Sequence, residues 1–392
     1  MSSLTDLARW LWIETQLTAP PFVQRTLIPR LHRSKEYARL LVKPYLPVYE
    51  WRGENAGGPL TVHYSGLGYA EALLRSLLFT TEPTEHQVGQ LFVNSPNTLS
   101  NTLDSDIVIV ETSKYLIDKL PQENAIRLPF RLQFILNTQG AWEDVEQRFR
   151  QDARRNEVRK AIKLGYDYEI SHSRADLEMF YQKMYLPTVH NRHGELAQIL
   201  PKQDAYQYLK HGFLFLTKRD GSYVSGGLCY VQDNILQFKE MGVLNGDKRL
   251  MRDGAVGAMN YLRIRWANQV KCRGVNLGSC WPYMSGIFQS KRKWGATVGV
   301  YPEEHKLIWI RIQRNTPAVS QFLENNPCVI RGANGNLNGL VISHAPGEPT
   351  PEMKKKWHKQ YETPGLTELL IRSSADLLES PLIPNKSTGE LA

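Results

Sequence analysis

The chain has 392 residues, 42% hydrophobic, 10% aromatic and 22% charged. That composition excludes a disordered polymer and leaves room for two or more ordinary domains. A net charge of +9 and a pI near 9.2 suit polyanionic partners, whether nucleic acid, phosphate-bearing cofactors or an anionic membrane surface.

Residues 1–40 read as helical, with an apolar face from Leu4, Leu7 and Leu11, ending near Pro44 and Pro47. The stretch LARWLWIE is too short and too mixed for a signal peptide, because Arg9 and Glu14 interrupt it. With no run of about eighteen apolar residues, a spanning helix is not expected and a cytoplasmic protein is. Short strands follow to about residue 138 (YLPVYEW, PLTVHYS, QLFVN, SDIVIVET and IRLPFRLQFIL), rich in β-branched and aromatic residues. A helix at Leu67–Phe79 lies among them, and Asn137-Thr138 is placed to cap a helix starting near Trp142.

The segment Arg148–Gly165 carries seven cations against two acids. Read as a helix, it puts Arg148, Asp152, Arg155, Arg159 and Lys163 on one face. Such a stripe reads as a solvated surface or as a seat for phosphate or carboxylate. Next come a strand (YDYEIS), a helix at about Arg174–His190, a helix before Gly212 and three strands (FLFLTKR, SYVSGGLCYVQ, ILQFKEMGVL). Asp220-Gly221 and Asp233-Asn234 provide hairpin turns between those strands. A helix at about Arg249–Val270, a strand (GVNLGS), a helix around Ile287–Lys293 and two strands (ATVGVYP, KLIWIRI) complete the block. This order describes an antiparallel meander, a crossover helix and a parallel strand. Beyond Asn315 come a hairpin (PCVIRG, NGLVISH), a basic Pro-rich segment read as solvated (PTPEMKKKWHK), a short helix from about Leu366 and a tail. Domain boundaries are read at 1–140, 141–315 and 316–392.

The four cysteines, Cys229, Cys272, Cys280 and Cys328, form no CxxC pair, which argues against thiolate zinc and a disulfide framework. His190 and His193 have helical spacing without a convincing third ligand, so no metal is expected.

Over roughly residues 145–300, the pieces DARRNEVRKAIKLGYDYEIS, DLEMFYQKMYLPTVHNRHG, the three-strand meander, YLRIRWANQVKCRGVNLGS and FQSKRKWGA resemble, in order and spacing, the FemAB-like acyltransferases of the GNAT superfamily. The resemblance implies an α/β (α+β) fold, a GNAT-like mixed sheet flanked by helices, with two such units in tandem. It implies transfer of an acyl group from a thioester, acyl-CoA or acyl-carrier protein, to an amine, with no cofactor beyond that co-substrate. An aminoacyl-tRNA donor is the alternative on the same fold, and a non-catalytic nucleic-acid-binding module the alternative of another class. Oligomeric state is left open.

By the same resemblance Lys291 points at the reaction site and Glu240 accepts the amine's proton. Tyr283 acts as general acid, His193 is a second candidate base, and Arg192 is an anion ligand for the acceptor. The strand ILQFKEMGVL is the splayed one that offers free N–H groups to an oxyanion. From the residues themselves, Glu240 is either an exposed face residue or, sharing a face with Phe238 opposite Lys239, an inward carboxylate. Trp281 lines an acyl pocket or belongs to the core. Arg155 and Arg159 bind substrate anions. Lys248, Arg249, Arg252 and Gly254 occupy the donor-phosphate region, but their spacing departs from the family's Q/R-x-x-G-x-G/A signature.

Overall fold

The computed structural model describes residues 4–20, 22–28, 30–31, 34, 45–92, 104–194, 199–301, 306–332, 334–343 and 349–374. The chain forms two compact units that interleave in sequence. One comprises Met1–Ile28, Gln133–Ser279 and Ser290–Thr297, and the other Pro29–Leu132, Cys280–Gln289 and Val298–Ala392. This division does not follow the boundaries read at 140 and 315. The apolar run IRLPFRLQFIL, read as one strand, is two, Ala125–Pro129 and Leu132–Asn137, in different sheets. The strand Lys306–Ile312 likewise joins the second unit's sheet, between Ile107–Ser113 and Ala125–Pro129.

In the first unit six strands run in the order β1 (Leu132–Asn137), β6 (Gly274–Cys280), β5 (Ile235–Val243), β4 (Ser222–Gln232), β3 (Phe213–Arg219) and β2 (Asp167–Ser171). Strands β3 to β5 form the three-strand antiparallel meander that the sequence order implied, β2 pairs antiparallel with β3, and β6 lies parallel to β5. Both hairpin turns are left-handed at the expected residues: Asp220 and Gly221 at φ 51° and 74°, Asp233 and Asn234 at φ 54° and 58°. Aspartate, asparagine and glycine tolerate that region, which matches the twist of the flanking strands.

Four helices matter for the site: α1 (Leu4–Thr18), α2 (Arg174–Phe180, through a π-helical turn Tyr181–Tyr185, to Leu186–His193), α3 (Lys202–Lys210) and α4 (Ala255–Gln269). Ser173 caps α2 by accepting from the Ala175 and Asp176 N–H groups. Helix α2 presses its backbone onto β5 at Gly242, where a Cβ would collide with Met184 carbonyl carbon. Thr188 Oγ1 accepts from Val243 N at 2.8 Å and locks that approach. The expected 249–270 helix is two pieces, Lys248–Arg252 and α4, separated by Gly254 at φ 90°.

Helix α1 packs on α3 through Ile13, which is buried in a cluster with Tyr208 and Leu209. Leu7 and Leu11, expected on the apolar inward face, point out instead, 50% and 51% exposed. Turned inward on α1 is Glu14, which accepts from Gln207 at 3.0 Å and lies 3.0 Å from both Lys210 and His211. Those partners, Gln207 first, hold its carboxyl down to about 2.

The second unit carries a six-stranded sheet in the order Thr84–Phe92, Tyr45–Asn55, Gly58–Gly66, Ile107–Ser113, Lys306–Ile312, Ala125–Pro129. A helix, Glu71–Leu78, leads from Gly58–Gly66 to the strand Thr84–Phe92, and Gly58–Gly66 pairs in parallel with Ile107–Ser113. A three-stranded sheet follows, built from the predicted hairpin (Cys328–Arg331, Leu337–Ser343) and Leu369–Ser373. The last was read as a helix, but Leu369–Ser373 pairs in parallel with Leu337–Ser343 along five residues, and that ladder decides its state. The basic Pro-rich segment is a capped helix, Pro351–Tyr361, with Thr350 accepting from Met353 N–H.

Candidate active site

Strands β5 and β6 pair only at Ile235–Gly274 and Leu236–Val275, and then diverge. Just past the last pair, Asn276 donates to the Gln237 side chain at 2.7 Å, and Asn276 in turn accepts from Gly278 N–H at 2.8 Å. That side-chain bridge stands where the next backbone pair would be. The splay expected for ILQFKEMGVL is therefore present, with Glu240 on one arm and Leu277–Gly278 on the other.

Alternation along β5 breaks before Glu240. Phe238 pairs with Cys229 and Glu240 with the adjoining Leu228, leaving Lys239 as a bulge. Directly paired residues share a face and neighbours along a strand do not. Glu240 therefore lies on the face opposite Phe238, which corrects the same-face reading. Lys239 joins Glu240 there, its ammonium 4.8 Å from the Tyr208 ring centroid. Bulges re-aim side chains in this way. Leu228 packs with Tyr181, Met184 and Tyr185 of α2, and the Glu240 charge reaches both tyrosines, contributing to the upward shift of their hydroxyls after burial.

Glu240 is half-buried and has no hydrogen-bond partner among the described residues. Burial pushes its carboxyl up to about 7, with only the Lys239 charge opposing. A carboxylate poised near neutrality in a partly desolvated place is the usual condition of a general base.

Lys291 donates from Nζ to the Leu277 carbonyl, on the β6 arm. Gly278, at φ 85°, leaves room for it, since a Cβ there would stand 3.2 Å from Nζ. Glu240 thus stands on one arm of the splay, and the Lys291 ammonium, reaching from the helix Gly286–Arg292, touches the other.

The basic segment is not the continuous stripe expected. Arg148 closes the helix Trp142–Gln147 and donates to the Asn137 and Gln139 carbonyls. A new helix begins at Gln151 and passes through a π-helical turn, Arg154–Val158, into Arg159–Lys163. Arg154, Arg155, Arg159 and Lys163 are exposed.

Of its two acids, Asp152 is exposed and Glu157 faces inward. Glu157 pairs with Lys293 and lies against Gly257 in the first turn of α4, where any Cβ would collide with Oε2. Lys160 lies along Gly254 and donates to the Arg252 carbonyl. The anion-attracting start of α4 therefore holds the chain's own carboxylate. Lys248, Arg249 and Arg252 are exposed on the short helix before it, and Asp247 caps Arg249 N–H.

Arg192 is exposed at the end of α2, and the side chain of His193 lies outside the described residues. No cluster of three or more His, Cys, Asp or Glu able to hold a metal occurs among the described residues. Trp281 and Tyr283 belong to the second unit. Tyr283 is 7% exposed within that unit's core, its hydroxyl buried without a hydrogen-bond partner among the described residues and pushed well up by burial. So placed, the hydroxyl is shut away from solvent. Trp281 packs edge-on against Phe130 at 4.9 Å, with the Arg131 guanidinium 4.3 Å from its ring centroid. Burial pushes the Cys229 and Cys328 thiols up to about 12, which makes them poor nucleophiles.

Two buried charges escaped the sequence reading. Arg263 in α4 is 2% exposed, with Nε and Nη1 unpartnered among the described residues and its guanidinium 3.8 Å from the Phe238 ring centroid. Burial pulls its pKa down to about 10. Its place between Leu262 and Ile264, four residues from buried Met259 and Ala267, was the available signal. In the second unit Glu111 is fully buried and accepts from Tyr64 Oη at 2.7 Å, Ala70 N at 2.9 Å and Tyr69 N at 3.1 Å. Burial raises its pKa against those donors.

A scan against protein-family models gives no match, and a search of curated proteins gives none. Among solved structures the chain is similar to FemX, at 12% identity over 77% of this chain and 96% of that one, with a TM-score of 0.38. It is also similar to L-PGS from Bacillus licheniformis (11% identity, 69% of this chain and 86% of that one, TM-score 0.34). A third is a GCN5-related N-acetyltransferase from Kribbella flavida (10% identity, 93% of this chain and 97% of that one, TM-score 0.28). At scores this low the likenesses carry no weight for chemistry, which rests on the residues.

Proposed function

We propose that the first unit transfers an acyl group from a thioester to an amine, forming an amide at the splay between β5 and β6. The observation that carries this reading is Glu240: a half-buried carboxylate without hydrogen-bond partners among the described residues, raised to about 7, on an arm that the bulge turns toward α2. A general base must compete for the proton of an ammonium or an attacking amine, and this environment suits it. The amine nitrogen attacks the carbonyl carbon, the C–N bond forms, and the proton passes to Glu240 directly or through one water. The tetrahedral intermediate then collapses and the C–S bond breaks. The departing thiolate needs no protonation at the moment of leaving, so no tyrosine acid is required. Backbone N–H groups freed where the strands part, with the Lys291 ammonium on the Leu277 carbonyl, supply positive potential for the oxyanion.

The seat of Glu157 at the start of α4 disfavours a pyrophosphate there. It favours an acyl group carried on a protein over one carried on coenzyme A. The exposed Arg154, Arg155, Arg159 and Lys163 suit an acidic carrier, and they equally suit the backbone of an aminoacyl-tRNA.

The test is amide formation by the purified chain supplied with acyl-carrier protein, acyl-CoA or aminoacyl-tRNA, and a panel of amines. Turnover with the carrier donor that Glu240→Gln removes is the expected result. Turnover unchanged by Glu240→Gln sinks the site. Salt-sensitive RNA binding without turnover from any donor replaces the enzyme with a binding module.

A further inference from the structure

Helix α1 and the concavity beside it carry a second surface that amide formation does not use. Leu7, Trp10 and Leu11 recur at helical spacing and are 50%, 45% and 51% exposed. Three large apolar side chains held in water along one turn of a helix are costly unless something covers them. In the next helical segment, Phe22 and Leu27 are also exposed, at 67% and 41%.

Trp10 also lines a concavity of about 360 Å³ formed with His172, Arg174, Gln203, Tyr206 and Lys210. Arg174 is exposed and stands 5.4 Å from the Tyr206 ring centroid. His172 Nδ1 lies 3.0 Å from the Gly212 carbonyl, which leaves Nε2 facing away from that bond. Lys210 pairs with Glu14, a carboxylate also engaged by Gln207 and His211. Glu14 answers Lys210, and Glu178 accepts from Tyr206 Oη at 3.1 Å, which leaves Arg174 as the lining arginine with no ion pair among the described residues.

We infer that this face docks on an anionic lipid bilayer. Leu7, Trp10 and Leu11 would enter the headgroup boundary, and Arg174 would take a lipid phosphate at the concavity. The pattern is that of an interfacial helix: an apolar strip with tryptophan at its edge, cations beside it and no length sufficient to span. No helix among the described residues is long and apolar enough to cross a membrane, so any attachment by these helices is to the surface. The net charge of +9 adds long-range attraction to the same partner. A second copy would cover the apolar strip while bringing a like charge of +9 to it, whereas an anionic bilayer attracts that charge, so the bilayer is the better fit.

The test is co-sedimentation of the full chain with vesicles of phosphatidylcholine alone or mixed with phosphatidylglycerol. Binding to the mixed vesicles is expected, with little to neutral ones. Leu7→Ser with Leu11→Ser, both solvent-exposed, should weaken binding about tenfold or more. Arg174→Glu should weaken it by about tenfold and abolish the preference for the anionic lipid. Circular dichroism of each variant matching the parent assigns the loss to the surface, and Trp10→Ala provides an independent variant. Failure of the parent chain to sediment with anionic vesicles overturns the inference, as does parent-like binding by both variants. Self-association that Leu7→Ser with Leu11→Ser abolishes, without vesicle binding, assigns the face to a second copy instead. Amide formation enters none of these readouts, so the two proposals fail separately.

Discussion

Two glutamates, one in each unit, show how an environment separates structure from reactivity. Both have a carboxyl raised by burial. Glu111 is fully buried and accepts three hydrogen bonds, two from backbone N–H groups at the start of the helix Glu71–Leu78. Glu240 is half-buried and accepts none among the described residues. The donors around Glu111 replace water and fix the carboxylate in one position. Around Glu240 water has been thinned without replacement, so the proton remains exchangeable. Burial is common to the two, and the difference lies in what stands in for solvent.

Exchange of each carboxylate for a neutral group tests that contrast most severely. Glu240→Gln should lower kcat by about 10²–10⁴-fold with KM little changed, since a general base acts only in the transition state. A loss under threefold breaks the comparison at its reactive end. Glu111→Ala should instead destabilise by about 3 kcal/mol, because it strands a buried hydroxyl and two N–H groups. Denaturant midpoints measure that, and an unchanged midpoint would deny Glu111 its structural role. Gly242→Ala comes next, at about 2 kcal/mol, because a methyl group must push the α2 backbone off β5. Its kcat should fall with stability if the approach of α2 shapes the Glu240 site.

The pH dependence is smaller and has a definite sign. Glu240 is raised in the folded state, so the stability it contributes is complete below its ordinary value and is lost as pH rises through about 7. Glu240→Gln should flatten the stability profile by on the order of 1–2 kcal/mol between pH about 5 and about 8, after allowance for its partial exposure. Activity runs the other way, rising with pH to half its plateau near 7. Smallest of all, Arg155→Ser with Arg159→Ser should shift stability by no more than about 0.5 kcal/mol, since both are exposed. Their effect belongs in the salt dependence of donor binding.

Much of the first unit was legible. The meander, its two aspartate-containing turns, the crossover helix and the parallel strand follow from local periodicity and turn chemistry, which act over a few residues. The bulge at Lys239 was not, because alternation in ILQFKEMGVL reads smoothly and only the register against β4 shows two residues opposite one. Leu7 and Leu11 misled for a related reason: periodicity finds an apolar stripe on α1, while the buried contact with α3 is made by Ile13 on another face of the helix. The Lys291 position came from the resemblance alone, and its contact with Leu277 needed the fold. Arg263 and Glu111 are charges inside apolar runs, visible in the sequence but unreadable without knowing what packs around them.

The placement of Lys306–Ile312 in the middle of its sheet also governs how this protein is made. Its two neighbours, Ile107–Ser113 and Ala125–Pro129, are both synthesised long before it. At 5–20 residues per second their facing edges wait on the order of ten to forty seconds for the strand that closes them. During that interval the nascent chain presents open, strongly apolar edges such as IVIVETS to its surroundings. Yield in the cell should therefore depend on translation rate and on holding chaperones more than on final stability. Truncation before residue 312 should give insoluble protein, because the missing strand leaves both edges permanently unpaired.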